Sequence, residues 1–206
     1  MRFLVYLSLL IFLASCEKGA GEFILKGTVT DASYQTNLIG ATVKLYKVPI
    51  ATTQEVLVGT VTIGSNGTYE FTFPREKMER YTIHITKENY FKIEEDIFYS
   101  SLTLSADNIR NYSTKAESWV AIHLTNLNPQ ITDHLQYIKQ DGLQGCATCC
   151  PNTEQNYYGA LDTTIYCINN GNEVYSLYYW LYNTTNQGLL STVTVPFDTT
   201  EIVLNY

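Results

Sequence analysis

Basic residues are scarce in this chain of 206 residues, which has 13 Lys+Arg against 20 Asp+Glu and a formal net charge of −7. Binding to nucleic acid rests on Lys and Arg side chains that neutralise phosphates, so this balance excludes nucleic acid as the expected partner. Charged residues make up only 16% of the chain and hydrophobic residues 45%. This ratio suits a packed core and excludes general disorder.

The sequence also lacks the short motifs that carry common enzyme chemistry, namely Gly-x-Ser-x-Gly, His-Glu-x-x-His, a phosphate-binding Gly loop and an Asp-rich Ca²⁺ loop. Its three histidines have no acid or second histidine at metal-ligand spacing. We expect His84 to be exposed on a strand, His123 to share a sheet face with Trp119, and His134 to belong to a turn. These features predict a protein that is not an enzyme and that has no cofactor and no metal site.

A single apolar run, Phe3–Ala14, follows Arg2 at the start of the chain. Its twelve residues are too few to span a bilayer as a helix, which needs about 20. A positive residue, a short apolar stretch and small residues behind it are typical of an export signal.

The run ends in Leu13-Ala14-Ser15-Cys16, which resembles the lipobox of bacterial lipoproteins. The resemblance implies that residues 1–15 are a signal peptide, that Cys16 is lipidated, and that the membrane is a partner through this lipid. Residues 16–22 then form a tether. Because Glu17 is not the Asp that retains some lipoproteins at the inner membrane, the resemblance favours the outer membrane, with the periplasmic and cell-surface faces both open. The alternative is an ordinary secretory signal with Cys16 as a bystander.

Beyond the tether, short runs of alternating apolar and polar residues are separated by turn residues, and no stretch has a helical period of useful length. The predicted strands of the first half are Phe23–Thr30, Ala41–Tyr46, Glu55–Ile63, Thr68–Phe73, Tyr81–Thr86 and Phe91–Phe98. Those of the second half are Trp119–Thr125, His134–Ile138, Thr163–Ile168, Glu173–Tyr182, Leu189–Val195 and Thr200–Leu204. Strands at this spacing predict an all-β chain of two tandem β-sandwich domains, residues 23–112 and 113–206. The polar segment Tyr99–Lys115 follows the first set of strands, and we place the domain boundary at about Asn111–Ala116; the alternative is that this segment completes the first sandwich.

The strings LKGTVTD, IGATVKLYK, GTVTIGSNGTYEFTF and YTIHITKENYF resemble the carboxypeptidase regulatory-like (transthyretin-like) β-sandwich family over Phe23–Phe98. The matching positions are Gly27, Val29, Asp31, Gly40, Ala41, Val43, Leu45, Thr62, Gly67, Tyr69, Phe71, Tyr81, Ile83 and Tyr90. The family has no catalytic residues to carry over, and its modules act as spacers, stabilisers or adhesion units. The second half resembles uncharacterised C-terminal domains of similar anchored proteins, which implies no function.

Four cysteines remain if Cys16 is lipidated, and an even number in an exported chain favours disulfides. A bond between the adjacent Cys149 and Cys150 is strained, so two arrangements stay open. One pairs Cys150 with Cys167 and Cys146 with Cys149. The other pairs Cys149 with Cys167 and Cys146 with Cys150. A structural zinc ion on the four thiolates, or a redox centre at the Cys-x-x-Cys of residues 146–149, are the competing hypotheses.

Aromatic residues are concentrated in the second half, where Tyr178, Trp180 and Tyr182 alternate on one side of a predicted central strand. With Tyr157 and Tyr158 nearby, they suggest a platform on which sugar rings stack while acids accept the sugar hydroxyls. The alternative is that aromatic side chains form core on both faces of a covered sheet.

Charge also differs between the halves. Phe23–Phe98 contains eight Lys+Arg and nine Asp+Glu, whereas Glu117–Tyr206 contains one Lys, no Arg and eight Asp+Glu. The sequence therefore predicts a membrane-anchored extracytoplasmic lipoprotein with a non-enzymatic role in binding, adhesion or envelope assembly. Its first domain would be a stalk, and its anionic second domain would meet a protein or polysaccharide. The alternative hypotheses are a carbohydrate-binding accessory of a surface uptake system and a metal or redox module at Cys146–Cys150.

Overall fold

The computed structural model describes residues 21–206, and the predicted signal peptide and Cys16 lie outside this range. The first half contains β1 (Glu22–Asp31), β2 (Thr36–Asn37), β3 (Thr42–Val48), β4 (Val56–Thr62), β5 (Thr68–Pro74), β6 (Arg80–Thr86), β7 (Ile93–Phe98), a 3-10 turn (Tyr99–Ser101), β8 (Asn108–Ile109) and β9 (Tyr112–Thr114). The second half contains β10 (Glu117–Thr125), β11 (His134–Asp141), β12 (Gln155–Tyr158), β13 (Asp162–Asn170), β14 (Val174–Leu181), β15 (Gln187–Val193) and β16 (Thr199–Asn205). Residues 21–206 contain no helix long and apolar enough to cross a membrane.

The strands form four sheets, two in each half. In the first half β2-β1-β5, with β8 and β9 parallel to β1, faces β4-β3-β6-β7. In the second half β13-β10-β16 faces β12-β11-β14-β15. The predicted all-β fold of β-sandwich type is therefore confirmed, and β14 is a central strand as its two apolar faces indicated.

Each half has its own hydrophobic core, because alternate side chains of its strands point between the two sheets. In β5, for example, Tyr69, Phe71 and Phe73 are buried while the residues between them are exposed. The first core consists of Phe23, Leu25, Val29, Leu38, Ala41, Val43, Leu45, Ile63, Tyr69, Phe71, Phe73, Tyr81, Ile83, Ile85, Ile97 and Tyr112. The second core consists of Val120, Ile122, Leu124, Leu135, Tyr137, Cys167, Tyr175, Leu177, Ile202 and Leu204.

The segment that follows the last predicted strand of the first half packs against that half. Tyr112 lies in the first core, and β9 pairs with β1 from Val29 to Asp31. This approach requires Gly27, since a Cβ atom there would lie 1.6 Å from the carbonyl oxygen of Arg110. The segment completes the first sandwich, which was one of the two possibilities left by the sequence.

Two local predictions in the second half differ from the structure. Asn169 and Asn170, which lie just beyond the predicted strand Thr163–Ile168, continue β13. Asn169 is buried, and its side chain accepts a hydrogen bond from the N–H of Leu143 and donates one to the hydroxyl of Thr194. Residues Gln155–Tyr158, where no strand was predicted, form β12, which pairs with the first residues of β11.

Interlocked hydrogen bonds connect the halves at a joint formed by Ser33, Ala116, Gly171, Asn172 and Phe197. The Ser33 hydroxyl donates to the carbonyl of Gly171 (3.0 Å) and accepts from the N–H of Ala116 (3.0 Å), while the Asn172 amide donates to the carbonyl of Ser33 (2.8 Å). The N–H of Gly171 also donates to the carbonyl of Ala116 (2.8 Å).

The joint also has an aromatic part and an ion pair. The ring of Phe197 contacts Tyr34 and Tyr90 of the first half, with ring centres 6.2 Å and 5.3 Å away. Lys115 pairs with Glu173 beside it. Backbone, aromatic and ionic contacts thus hold the two sandwiches in a fixed relation.

Candidate functional site: an aromatic stack at the tip of the second sandwich

Three aromatic rings from neighbouring strands stack side by side on the outer surface of the second sandwich. His134 begins β11, Tyr158 ends β12, and Tyr182 directly follows β14. The ring of His134 lies 4.3 Å from that of Tyr158 and 4.2 Å from that of Tyr182, with interplanar angles of 19° and 5°. Both faces of the imidazole are therefore covered, and each tyrosine keeps one ring face turned away from the stack.

The strand register explains why these rings meet. Tyr158 pairs with His134 across β11 and β12, and the N–H of Tyr182 donates to the carbonyl of His134 (3.0 Å). Adjacent strands lie about 4.8 Å apart, so side chains at paired positions of neighbouring strands can bring their ring centres to the distances of 4.2 Å and 4.3 Å found here. Tyr158 is 67% exposed and Tyr182 is 44% exposed, so the ends of the stack are open to solvent.

Amide side chains fix the polar edges of the stack. Nε2 of His134 lies 2.7 Å from Oδ1 of Asn156, and the hydroxyl of Tyr182 donates to Oε1 of the buried Gln136 (2.5 Å). Ring faces, hydroxyls and amides are thus presented together by a rigid sheet, which is the arrangement expected of a preorganised recognition surface.

A cavity of about 190 Å³ opens next to the stack and shares His134 and Tyr182 with it. Its other walls are formed by Asn126, Asn128, Asp133, Leu181, Thr184 and Tyr206. Oδ2 of Asp133 accepts hydrogen bonds from the Asn126 side chain and from the N–H of Gln130, both 2.8 Å long. These two bonds hold the pKa of Asp133 below its ordinary value, so the carboxylate is ionised at neutral pH. We call the stack and this cavity the tip site.

Of the three aromatic residues singled out in the sequence, Tyr182 belongs to the stack. Tyr178 and Trp180 point to the same outer side of β14 and are half-buried, with ring centres 5.8 Å apart. Opposite faces of β14 are used differently, since Tyr175 and Leu177 belong to the core. The outer face therefore extends the tip site along the strand.

Sequence reasoning missed the central member of the stack. The sequence predicts His134 both as the first residue of the strand His134–Ile138 and as part of a turn; in the structure it begins β11, which pairs with β12 there. The only indication in the sequence was the alternation of β11, which places His134 and Gln136 on one side. No pattern in one strand indicates which residues of the neighbouring strands lie beside it.

The position of the tip site follows from the direction of the strands. β1 runs from the start of the described chain to Asp31, beside the joint, and β10 runs from Glu117 at the joint to Thr125 at the opposite end of its sandwich. The tip site is built at that opposite end. It therefore lies at the far end of the second sandwich, and residue 22 at the far end of the first.

The cysteines form two disulfides, Cys146–Cys149 and Cys150–Cys167. The prediction of disulfides is confirmed, and this is the first of the two arrangements that the sequence left open. The four sulfurs are bonded in pairs rather than converging as four free thiolates, and in residues 21–206 no group of three or more His, Cys, Asp or Glu is arranged to hold a metal ion.

A buried lysine holds the cysteine loop from inside. The ammonium group of Lys139, which is only 4% exposed, donates to the carbonyls of Leu143 (2.7 Å), Cys149 (2.9 Å) and Cys150 (2.7 Å). Burial lowers the pKa of Lys139. Its three N–H donors match three acceptors, so the group is satisfied without a carboxylate.

The other two histidines sit beside carboxylates. His84 is not exposed as predicted: Nε2 lies 3.4 Å from Glu55 and 3.7 Å from Glu94, and the ring of Tyr46 covers it at 4.8 Å. Tyr46 lies on β3, Glu94 on β7 and Glu55 just before β4, so the sequence of β6 alone does not reveal these contacts. Nε2 of His123 lies 3.2 Å from Asp162 on a sheet face, as expected for a sheet-face histidine with a partner.

No family model and no curated protein matches the chain. The resemblance of its first half to the carboxypeptidase regulatory-like family therefore stays a prediction.

Among solved structures, the chain is similar to the Bacillus anthracis TIE protein, with 13% identity over 90% of this chain and 34% of that one and a TM-score of 0.34. It is also similar to the shaft pilin SpaA from Lactobacillus rhamnosus GG (8% identity, 90% and 97% covered, TM-score 0.33). A third is GBS52, the minor pilin of Streptococcus agalactiae (10% identity, 89% and 94% covered, TM-score 0.36). The chain spans about a third of the length of the TIE protein. At these identities and TM-scores the likeness concerns the fold alone.

Proposed function

We propose that this chain is a non-enzymatic binding protein of the adhesion type, exported, held on the outer membrane by a lipid on Cys16, and contacting its partner through the tip site. The observation that carries the proposal is the location of an open aromatic stack at the end of the second sandwich opposite the joint. A contact surface on a tethered protein is useful when it stands away from the membrane, and this proposal is supported by strand directions that put the tip site and residue 22 at opposite far ends of the two sandwiches.

The distance supports this role. β1 has 10 residues and β10 has 9. At about 3.3 Å per residue each strand spans about 30 Å, so the path along the two strands is about 60 Å. The first sandwich then acts as a stalk, residues 16–22 act as a tether, and the joint keeps the stalk and the tip in a fixed relation.

The chemistry of the tip site suits binding rather than turnover. The imidazole of His134 is covered on both faces and its Nε2 is occupied by Asn156. A general acid or base must come within hydrogen-bond reach of the reacting group, directly or through one water molecule, whereas this ring serves as the middle layer that holds two tyrosines apart and parallel. The exposed tyrosine faces and the amide groups are recognition groups.

A second candidate function is a carbohydrate-binding accessory of a surface uptake system. It is favoured by the same stack, because exposed parallel aromatic rings next to an ionised carboxylate provide both apolar ring contacts and acceptors for hydroxyl groups. The two candidate functions use the same contact surface. In adhesion the partner stays bound at the surface, whereas in an uptake system the bound carbohydrate is passed on for import.

The anchor is tested by comparing the wild-type chain with Cys16→Ser in cells fed labelled palmitate. We expect wild type to carry label and to sediment with the envelope, and the Cys16→Ser protein to carry none and to be released. Equal sedimentation of both proteins without label in either would contradict the anchor.

The contact surface is tested with the double variant Tyr158→Ala/Tyr182→Ala and the matched control Tyr166→Ala. Tyr166 is also 67% exposed but lies on the outer face of the other sheet. Binding of each purified full chain to isolated cell envelopes is measured by co-sedimentation. We expect the double variant to lose at least fivefold in binding and the control to match wild type. Equal binding by all three would remove the tip site as the contact surface.

A further inference from the structure

We infer that the tip site binds an uncharged carbohydrate, with sugar rings packed on the outward faces of Tyr158 and Tyr182 and sugar hydroxyls bound in the adjacent cavity. This inference rests on the proposed function, since it specifies the partner of the same surface. Three observations support it: the stack, the acceptors in the cavity, and the distribution of charge.

The stack offers two flat apolar surfaces at fixed positions. Because His134 covers one face of each tyrosine, the face turned away from it is free on both rings. The C–H face of a pyranose ring packs on such a surface, where aromatic rings provide large contact area with little loss of conformational freedom. The hydrogen bond from Tyr182 to Gln136 holds one of the two rings in place before any ligand arrives.

The cavity next to the stack is lined by groups that can accept hydrogen bonds from sugar hydroxyls, among them Asp133. Both protein donors to Asp133 bond to Oδ2, which leaves Oδ1 for the hydroxyls of a ligand. A charge-assisted hydrogen bond from a hydroxyl to a carboxylate is stronger than one between neutral groups. The cavity, of about 190 Å³, is small, which suits the hydroxyl-bearing edge of one sugar ring rather than a polypeptide segment.

Charge excludes the acidic polysaccharides. From Glu117 to Tyr206, all of which the structure describes, the chain has one Lys, no Arg and eight Asp+Glu. That one Lys is Lys139, whose ammonium group is buried and bonded to three carbonyls. Uronates, sulfates and phosphates would therefore meet the Asp133 carboxylate in the cavity with no exposed Lys or Arg in residues 117–206 to offset it, and like charges repel.

A protein partner would use the same aromatic rings, but it would leave the cavity and its carboxylate without a matching group unless it presented a base there. The hydroxyl-rich edge of a sugar matches an ionised acceptor next to amides without any charge of its own. A carbohydrate is therefore the partner that matches this site, and the experiment below distinguishes it from a protein.

The test uses the purified full chain and tetrasaccharides of glucose, mannose and galactose, with tetragalacturonate as the acidic probe of equal length. Binding is measured by titration calorimetry and by the fluorescence of Trp180. We expect at least one neutral tetrasaccharide to bind tenfold or more tightly than tetragalacturonate. Tyr158→Ala and Tyr182→Ala should each weaken its binding at least tenfold, Asp133→Asn about fivefold, and the control Tyr166→Ala less than twofold.

A second readout guards against variants that lose their fold. Thermal unfolding of each variant is compared with that of wild type, and the imidazole resonances of His134 in the wild-type chain are followed by NMR during the neutral titration. A ligand seated on the stack should shift these resonances, while those of His84 in the other sandwich stay in place.

The inference is overturned if no neutral tetrasaccharide binds at millimolar concentration, if tetragalacturonate binds as well, or if the tyrosine variants bind like wild type. When the sugars fail but Tyr158→Ala/Tyr182→Ala still loses binding to envelopes, the contact surface stands and its partner is a protein. When both measurements are unaffected by the variants, the proposed function fails as well.

Discussion

The two sandwiches share an architecture but differ in what surrounds their cores. The first has a core of 16 buried residues and carries ion pairs on its surface, including Lys26–Asp107 (2.5 Å), Lys47–Glu76 (2.5 Å) and Arg80–Asp96 (3.0 Å). The second has a core of 10 buried residues, two disulfides and a single buried base.

The difference shows how a small core is compensated. Exposed ion pairs contribute about 0–1 kcal/mol each, so the first sandwich depends on its apolar contacts. A disulfide contributes about 2–4 kcal/mol, which offsets much of the smaller apolar burial of the second. Stability from covalent and internal polar contacts leaves the outer surface of the second sandwich free for exposed aromatic rings. We expect the two halves to respond to different substitutions.

The largest effect should come from Gly27→Ala in the first sandwich. Its new Cβ atom would overlap the carbonyl oxygen of Arg110, which is backbone and can move only if β8 and β9 leave β1. We expect a loss of about 3 kcal/mol or more. Both tryptophans lie in the second half, so circular dichroism should show the loss more strongly than tryptophan fluorescence. Gly64→Ala, where the nearest atom is 3.6 Å away, is the control and should cost little.

Removal of the bond between Cys150 and Cys167 should have the next largest effect, this time in the second sandwich. The bond joins residues 17 apart, and the chain-entropy relation gives about 3 kcal/mol for a loop of this length. The double variant Cys150→Ala/Cys167→Ala should lower the urea midpoint followed by tryptophan fluorescence. The bond between Cys146 and Cys149 closes a much shorter loop, so the double variant Cys146→Ala/Cys149→Ala should lose about half as much free energy of unfolding. Equal losses would contradict the entropic explanation.

High pH should affect both halves, since each core contains buried tyrosines. Burial raises the pKa of Tyr81 and of Tyr175 to about 12, whereas an unfolded tyrosine ionises near pH 10. The unfolded chain therefore releases these protons first, so the contribution of each tyrosine is fully present below about pH 10 and is lost as pH rises to about 12. The loss is about 2–3 kcal/mol for each residue.

The variant Tyr175→Phe measures how much the ionisation of Tyr175 contributes to the loss of stability of the second sandwich at high pH. Urea unfolding followed by tryptophan fluorescence at pH 9 and pH 11.5 should show a smaller drop in the variant than in wild type. Tyr166→Phe, at an exposed position, should keep the full drop, and a reduced drop in that variant would argue against burial as the cause.

The smallest of these effects should come from Lys139→Met. The substitution leaves the carbonyls of Leu143, Cys149 and Cys150 without their donor in a buried place, and an unsatisfied buried group costs about 1–3 kcal/mol. We expect a loss of about 2 kcal/mol, together with faster hydrogen exchange in the cysteine loop. Lys44→Met, on an exposed position of the first sandwich, is the control. A neutral result would show that the disulfides alone position the loop.

Much of the fold was predictable because a half-buried strand has a period of two. Tyr69, Phe71 and Phe73 alternate with polar residues, and Val120, Ile122 and Leu124 recur at every second position; all six are buried. The segment that completes the first sandwich was left open, since β8 and β9 together have only five residues and their pairing with β1 depends on the absence of a side chain at Gly27.

The candidate site was predictable only in part. The outward alternation of Tyr178, Trp180 and Tyr182 follows from the sequence of one strand. The partnership of Tyr182 with His134 and Tyr158 does not, because it depends on the register of three strands that are far apart in the chain. The contacts of His84 with Glu55 and Glu94 could not be predicted either, because they depend on which strands pair in the sheet.

The sequence by itself determined the class of fold, the presence of disulfides, the scarcity of bases in the second half and the side of β14 on which its aromatic residues lie. These properties depend on composition and on local periodicity, which a single strand carries. The tertiary structure alone decided that His134 lies between two tyrosines, that Lys139 is buried under the cysteine loop, and that the stack stands at the end farthest from the joint. Each of these depends on strand register and strand direction, and non-local pairing sets both.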